Sequence, residues 1–179
     1  MPTSSAAELW DAIADEAAAE SPLWAEALRP HLERQPEAVF SPLGEARYAL
    51  GLETIYEGYL LHYGRPRLFA PPDRDTALLL GDYLYAHGLV RIASFEQVAA
   101  VADLAELISL CAQLRAEGSD SDGAVWAATA ALLGGGGLDE ARATLRVDGD
   151  AGPLAELARA AAGEPAVELA LAAHRGRVG

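Results

Sequence analysis

Between residues 43 and 63 the chain reads LGEARYALGLETIYEGYLLHY, and Tyr48, Leu52, Ile55, Tyr56 and Tyr59 recur at i, i+4, i+7, i+8 and i+11. That spacing puts five large side chains on one face of a long helix. No run of the chain alternates apolar and polar residues as a half-buried strand would, and no internal repeat is present. A helix with one apolar face needs other helices to bury it, so the feature points to an all-α bundle. Composition agrees: 51% of the residues are hydrophobic, alanine and leucine dominate, and β-branched residues are sparse.

The same reading places helices along the rest of the chain. Residues 3 to 20 form the first, with Thr3, Ser4 and Ser5 as cap candidates, Glu8 in capping-box position and Leu9, Ile13 and Ala17 at helical spacing. Pro22 opens a second helix through about Arg34, broken or kinked at Pro30. Asp73 or Asp75 caps a helix over 75–92, and Ser94 caps another over 95–117 with a stripe of Val98, Val101, Ala102, Ala105, Ile108 and Leu114. AVWAATAALL is a short apolar helix ended by Gly134 to Gly137, and three short helices follow at 138–146, 152–162 and 164–174. The expectation is a single-domain helical bundle of about eight helices over 1–179. It comprises an N-terminal pair (1–40), central helices (43–135) and short C-terminal helices (138–179).

Charge narrows the function classes. The net charge is -14, all 13 basic residues are arginine, and the chain has no lysine. An acidic surface repels phosphate backbones and anionic lipid heads, so no nucleic-acid partner is expected. A Schiff-base lysine and a P-loop lysine are excluded outright. Cys111 is the single cysteine and sits in an apolar helical context, so it reads as an inert core thiol. No apolar run is long enough to span a bilayer and no basic leader region is present, so no membrane span and a cytoplasmic location are expected.

The segment TALLLGDYLYAHGLVRIAS interrupts an apolar helix with Gly81 and Asp82. Glycine lets a second helix approach closely, and a buried carboxylate needs a partner. Asp82 is therefore expected to be buried or half-buried against an arginine or a tyrosine hydroxyl. The same segment resembles the Gly-Asp helix of the trans-polyprenyl diphosphate synthases. HYGRPRLF is similar to that family's basic RRG-x-P stretch, with Gly64, Arg65 and Pro66 matching in type. FEQVAAVADLAELISLCAQLRAEG resembles the helix that follows, and AVWAATAALLGG is similar to the K-T-A-x-L helix without its lysine. LRP at Leu28 to Pro30 is a short echo of K-R-x-R-P. The resemblance covers roughly residues 43 to 135.

Members of that family hold magnesium ions with two Asp-rich motifs. At the first place this chain has only Glu53 and Glu57, and at the second only Asp139 and Glu140. The resemblance thus implies a shortened isoprenoid-synthase-like bundle without catalytic residues or a metal site. It implies a non-catalytic subunit that associates with and modulates a catalytic polyprenyl diphosphate synthase or another partner. One alternative is a stand-alone helical module that holds an isoprenoid or lipid tail in an apolar cavity. A second is a divergent prenyl transferase using Glu53, Glu57 and Asp82, the only case that calls for a cofactor, Mg²⁺. Candidate ligand-binding residues are Glu53, Tyr56, Glu57, Tyr59, Asp82 and His87, and Arg65 and Arg67 are candidates for a diphosphate. Taken alone, Glu53 and Glu57 read as a solvated acidic strip or a residual cation site. Expected association faces are the Tyr48, Leu52, Tyr56 and Tyr59 side or the 98–114 helix.

His62 and His87 lack the further ligands that zinc requires, with His31 and His174 near the chain ends. SDSDG and VDGDAG lack a full calcium-ligand set, the four glycines read as a terminator or hinge, and no Ser/His/Asp triad is argued.

Overall fold

Serine and aspartate fix where two of the helices begin. The computed structural model describes residues 6–178. The capping residues expected at Thr3, Ser4 and Ser5 lie outside them. Helix α1 spans Ala6–Glu20 and α2 spans Pro22–Ala27, the latter capped by the Ser21 hydroxyl, which accepts from the Leu23 amide at 3.2 Å. Asp73 does the same for α4 (Arg74–Ala93), accepting from Thr76 N at 2.7 Å. Between them lies α3 (Ala49–Tyr63), and after them α5 (Val98–Ala116), α6 (Asp122–Ala131), α7 (Asp139–Asp148), α8 (Gly152–Ala162) and α9 (Glu164–Val178). The described residues thus fold as an all-α bundle of nine helices, with one isolated bridge, Leu28 to Phe69, and no strand. None of these helices is long and apolar enough to cross a membrane.

The last helix runs to Val178, four residues past the expected end, and three further boundaries differ for reasons the structure shows. The second helix stops at Ala27, because Ala70 N donates to Ala27 O and Arg29 N to Leu68 O, which pulls the chain into an extended pairing. The helix expected from 43 begins at Ala49, after 3₁₀ turns at Ser41–Leu43 and Ala46–Tyr48. Gly44 lies between those turns against α6, where a Cβ would stand 2.2 Å from Ala130 O. Ser94 ends α4 instead of starting α5: its hydroxyl donates to Arg91 O at 2.6 Å, and Glu96 turns the chain at φ 58°.

Helix α3 is the axis of the molecule. Every residue from Gly51 to Leu61 is buried, so no side of it faces solvent. A helix enclosed on all sides is expected to be apolar all round, yet this one carries Glu53, Thr54 and Glu57 inside. Tyr48, Leu52, Tyr56 and Tyr59 belong to the main core with Phe40, Trp126 and the inner faces of α5 to α9. They are not an association face, which corrects that expectation. A second apolar cluster joins Trp10, Ile13 and Ala17 of α1 to Leu61, Phe69, Leu80 and Leu84.

Helices α3 and α4 run antiparallel and touch backbone to backbone. A Cβ on Gly58 would stand 2.8 Å from Gly81 O, and one on Gly88 would stand 3.0 Å from Gly51 O. Gly81 thus marks a close crossing as expected, and its partner is another glycine. Asp82 is one residue further on, about 100° around the helix. Its side chain is 71% exposed and meets His62 Nε2 at 3.1 Å. The buried carboxylate expected there is absent because the glycine, not the aspartate, faces the crossing.

Candidate functional site

The α3 carboxylates are closed by an arginine from the loop that follows. Arg67 is fully buried. Its Nε donates to Glu57 Oε2 at 2.8 Å and its Nη1 to Glu53 Oε2 at 2.6 Å. Its remaining donors reach Glu37 O at 2.8 Å and Glu53 O at 3.1 Å. Glu57 Oε1 accepts the Arg67 and Leu68 amides, both at 2.8 Å, and Glu53 Oε1 accepts Val39 and Ser41 amides at 3.3 and 3.2 Å. The guanidinium lies between the rings of Trp10 and Tyr56, 4.6 and 4.9 Å from their centroids. All four carboxylate oxygens are occupied, which satisfies the requirement that buried charges be paired and fully hydrogen-bonded. The pair is neither a solvated strip nor an open cation site: it ties residues 37–41 and 64–68 to α3. Arg67 is consequently not available to a diphosphate.

A second buried network surrounds Tyr56 and Tyr59. The Tyr59 hydroxyl donates to Asp122 Oδ2, and Arg115 reaches the same oxygen with Nε at 2.8 Å and Nη2 at 2.6 Å. The Tyr56 hydroxyl and His174 Nδ1 are 2.9 Å apart. Burial raises both phenols above their ordinary range, so each keeps its proton and donates it. With Tyr56 donating to Nδ1, the ring proton sits on Nε2, 3.5 Å from Asp122 Oδ2. Burial also pushes the Asp122 carboxyl up, but the contacts from His174 and Tyr59 and the Arg115 charge outweigh it and hold the group at about 2. Trp126 and Phe40 close the cluster, with Tyr56 and Trp126 edge to face at 5.0 Å.

Asp122, His174 and Arg115 were not singled out by sequence. Asp122 hides in a Ser-Asp-Gly turn. His174 carries a readable signal, since Val167, Ala170 and His174 recur at i, i+3, i+7 and all three are buried. A third buried pair joins Arg142 Nη1 to Asp103 Oδ1 at 2.8 Å, with Gly134 N donating to the other oxygen at 2.9 Å. That contact holds the glycine run against α5. His87 Nε2 is 2.7 Å from Glu16 Oε2, which Arg91 also reaches, tying α1 to α4.

Two clefts border the end of α9. Arg29, Arg65 and Arg177 line a polar one of about 550 Å³. Arg65 donates to Gly176 O there, and Arg177 meets Glu37 at 3.3 Å. Arg65 thus lies in this cleft beside Arg29 from the LRP segment. The other cleft, about 480 Å³, lies where α6 begins and includes Arg115, His174 and Arg175. Among the described residues no group of three or more His, Cys, Asp or Glu is arranged to hold a metal ion. No family model, curated protein or solved structure matches this chain.

Proposed function

We propose that this protein is a non-catalytic, isoprenoid-synthase-like helical subunit that acts through a catalytic synthase of the same helical type. The observation that carries the reading is the Arg67 closure. The two carboxylates standing where the resemblance puts a magnesium-binding motif have every oxygen occupied by Arg67 and backbone amides. At the second such place Asp139 is fully exposed, 4.0 Å from Arg142. A divergent transferase would have to break the first cluster open to recruit Mg²⁺.

The 98–114 helix supports a docking role. The exposed positions of α5 from Val98 to Gln113 are Val98, alanines, Ser109 and Gln113, and the one charge beside them, Glu106, is 35% exposed and paired with Arg146. In a chain of net charge -14, a helical face whose single charge is already paired lowers the desolvation penalty of docking. Val90 and Phe95 extend it at the α4–α5 turn. The interior of the bundle argues against the lipid-tail alternative, because Leu52, Ile55, Leu104 and Leu107 are fully buried in one continuous core cluster. The cleft of Arg29 and Arg65 gives one observation for a retained contact with a diphosphate end.

The test is co-purification of the immobilised protein with a polyprenyl diphosphate synthase from the same organism, then product-length analysis of the mixture. Binding and an altered chain length are expected, and Ala105→Arg on α5 abolishes both. No capture together with unchanged product length overturns the proposal.

A further inference from the structure

We propose that the seam between α7 and α8 is a docking groove for a basic amphipathic helix of another protein. Helix α8 packs chiefly on α6 and only lightly on α7. The side chains along the seam are too small to close it: Ala141 and Thr144 from α7, Leu157 and Ala160 from α8. They leave a groove of about 430 Å³. Ala141 and Leu157 belong to or pack against the main core, and the Thr144 hydroxyl is committed to Glu140 O at 3.1 Å. The floor is therefore apolar and presents no free hydroxyl.

The lips carry charge of one sign. Glu140 stands on the α7 side and Glu156 on the α8 side. Both are exposed, and neither carboxylate belongs to an ion pair among the described residues. Helices α7 and α8 do contain three arginines, but each pairs at closest range with a carboxylate of another helix. Arg142 meets Asp103 and Arg146 meets Glu106, both on α5, and Arg159 meets Glu168 on α9. An apolar floor thus runs between two uncompensated carboxylates, with the neighbouring cations drawn away from it.

That arrangement selects the occupant. Ala141 and Thr144 are one helical turn apart, as are Leu157 and Ala160, so both walls repeat at the period of a helix laid between them. Apolar side chains on one face of that helix fill the seam, and Lys or Arg on its flanks meets Glu140 and Glu156. Exposed ion pairs are individually weak, so burial of the apolar face supplies affinity while the two carboxylates set sign and orientation. A second copy of this chain is a poor occupant, because its net charge of -14 brings like charge to both lips.

This groove and the α5 face are formed by different residues, so either can fail alone. The test is selection against the full chain from a displayed library of helical peptides of about 14 residues, four turns. Affinities of the enriched peptides are then read by fluorescence anisotropy. Enrichment of peptides with Lys or Arg flanking an i, i+4 apolar pair is expected, and their binding falls as salt rises. Joint replacement Glu140→Arg and Glu156→Arg weakens it about tenfold or more. Ala160→Trp, which fills the groove from an exposed position, does the same. Joint replacement Asp15→Arg and Glu26→Arg, an equal change of charge at exposed positions of α1 and α2, leaves binding unchanged. No enrichment, enriched peptides without basic residues, binding that survives the reversal, or an equal loss in the α1 and α2 pair overturns the inference. A dimer of the native chain that Ala160→Trp dissociates assigns the groove to a second copy and also overturns it.

Discussion

Replacing Arg67 by methionine keeps most of the side-chain volume and removes the charge. Glu53 and Glu57 then remain inside the bundle with no cation between them. Arg67 makes charge-assisted contacts at 2.6 and 2.8 Å to the two carboxylates and further bonds to two carbonyls. Removing one partner of a buried ion pair costs about 3–5 kcal/mol, a large fraction of the roughly 5–15 kcal/mol that holds a domain folded. With a urea m-value of about 2 kcal/mol/M, the unfolding midpoint falls by roughly 1.5–2.5 M. The pH dependence carries the sharper signature. In the variant the buried carboxylates must take up protons to stay inside, so the folded state binds more protons than the unfolded one. Stability then falls as pH rises, and the variant regains stability on mild acidification while the native protein does not. Urea melts at several pH values between 5 and 8, followed by tryptophan fluorescence, measure both effects. A loss below about 1 kcal/mol, or a variant whose midpoint does not rise towards pH 5, refutes the closed-clamp description.

Two further outcomes follow from other parts of the bundle. Asp122 is held at about 2 against an ordinary value of 3.8, so its contribution is present above pH 4 and lost as pH falls from about 4 to 2. By linkage this amounts to about 2 kcal/mol, and Asp122→Asn removes that part of the acid transition in pH-dependent melts. Gly58→Ala places a methyl 2.8 Å from Gly81 O; overpacking of about 1–3 kcal/mol exceeds the gain in helix propensity of roughly 1 kcal/mol, and calorimetry records a lower Tm.

The helices were readable because their signals are local. Apolar spacing announced α1, α3 and α5, Ser-Pro marked where α2 begins, and the sequence left the cap of α4 open between Asp73 and Asp75. What sequence reading missed depends on residues far apart in the chain. Glu53 and Glu57 look like solvated acids until a guanidinium 10 to 14 positions later is brought over them. Asp82 and Gly81 are adjacent, and which of them faces α3 depends on a single step of helix rotation. The partners of Tyr56 and Tyr59 lie 118 and 63 positions away, beyond any periodicity. The nearest sequence clue to the second network was a histidine falling in step with two apolar residues of α9.

The placement of α3 also bears on how the chain reaches its folded state. A helix that meets α4 through glycines, the 37–41 and 64–68 segments through two carboxylates, and α9 through a phenol cannot complete its surroundings from neighbours alone. Its final environment forms only when the most distant helix arrives, so early and late parts of the polypeptide acquire order together. Such non-local dependence slows acquisition of structure relative to a bundle of nearest neighbours. It also means that loosening α9 would be felt at the molecule's axis and not merely at its edge.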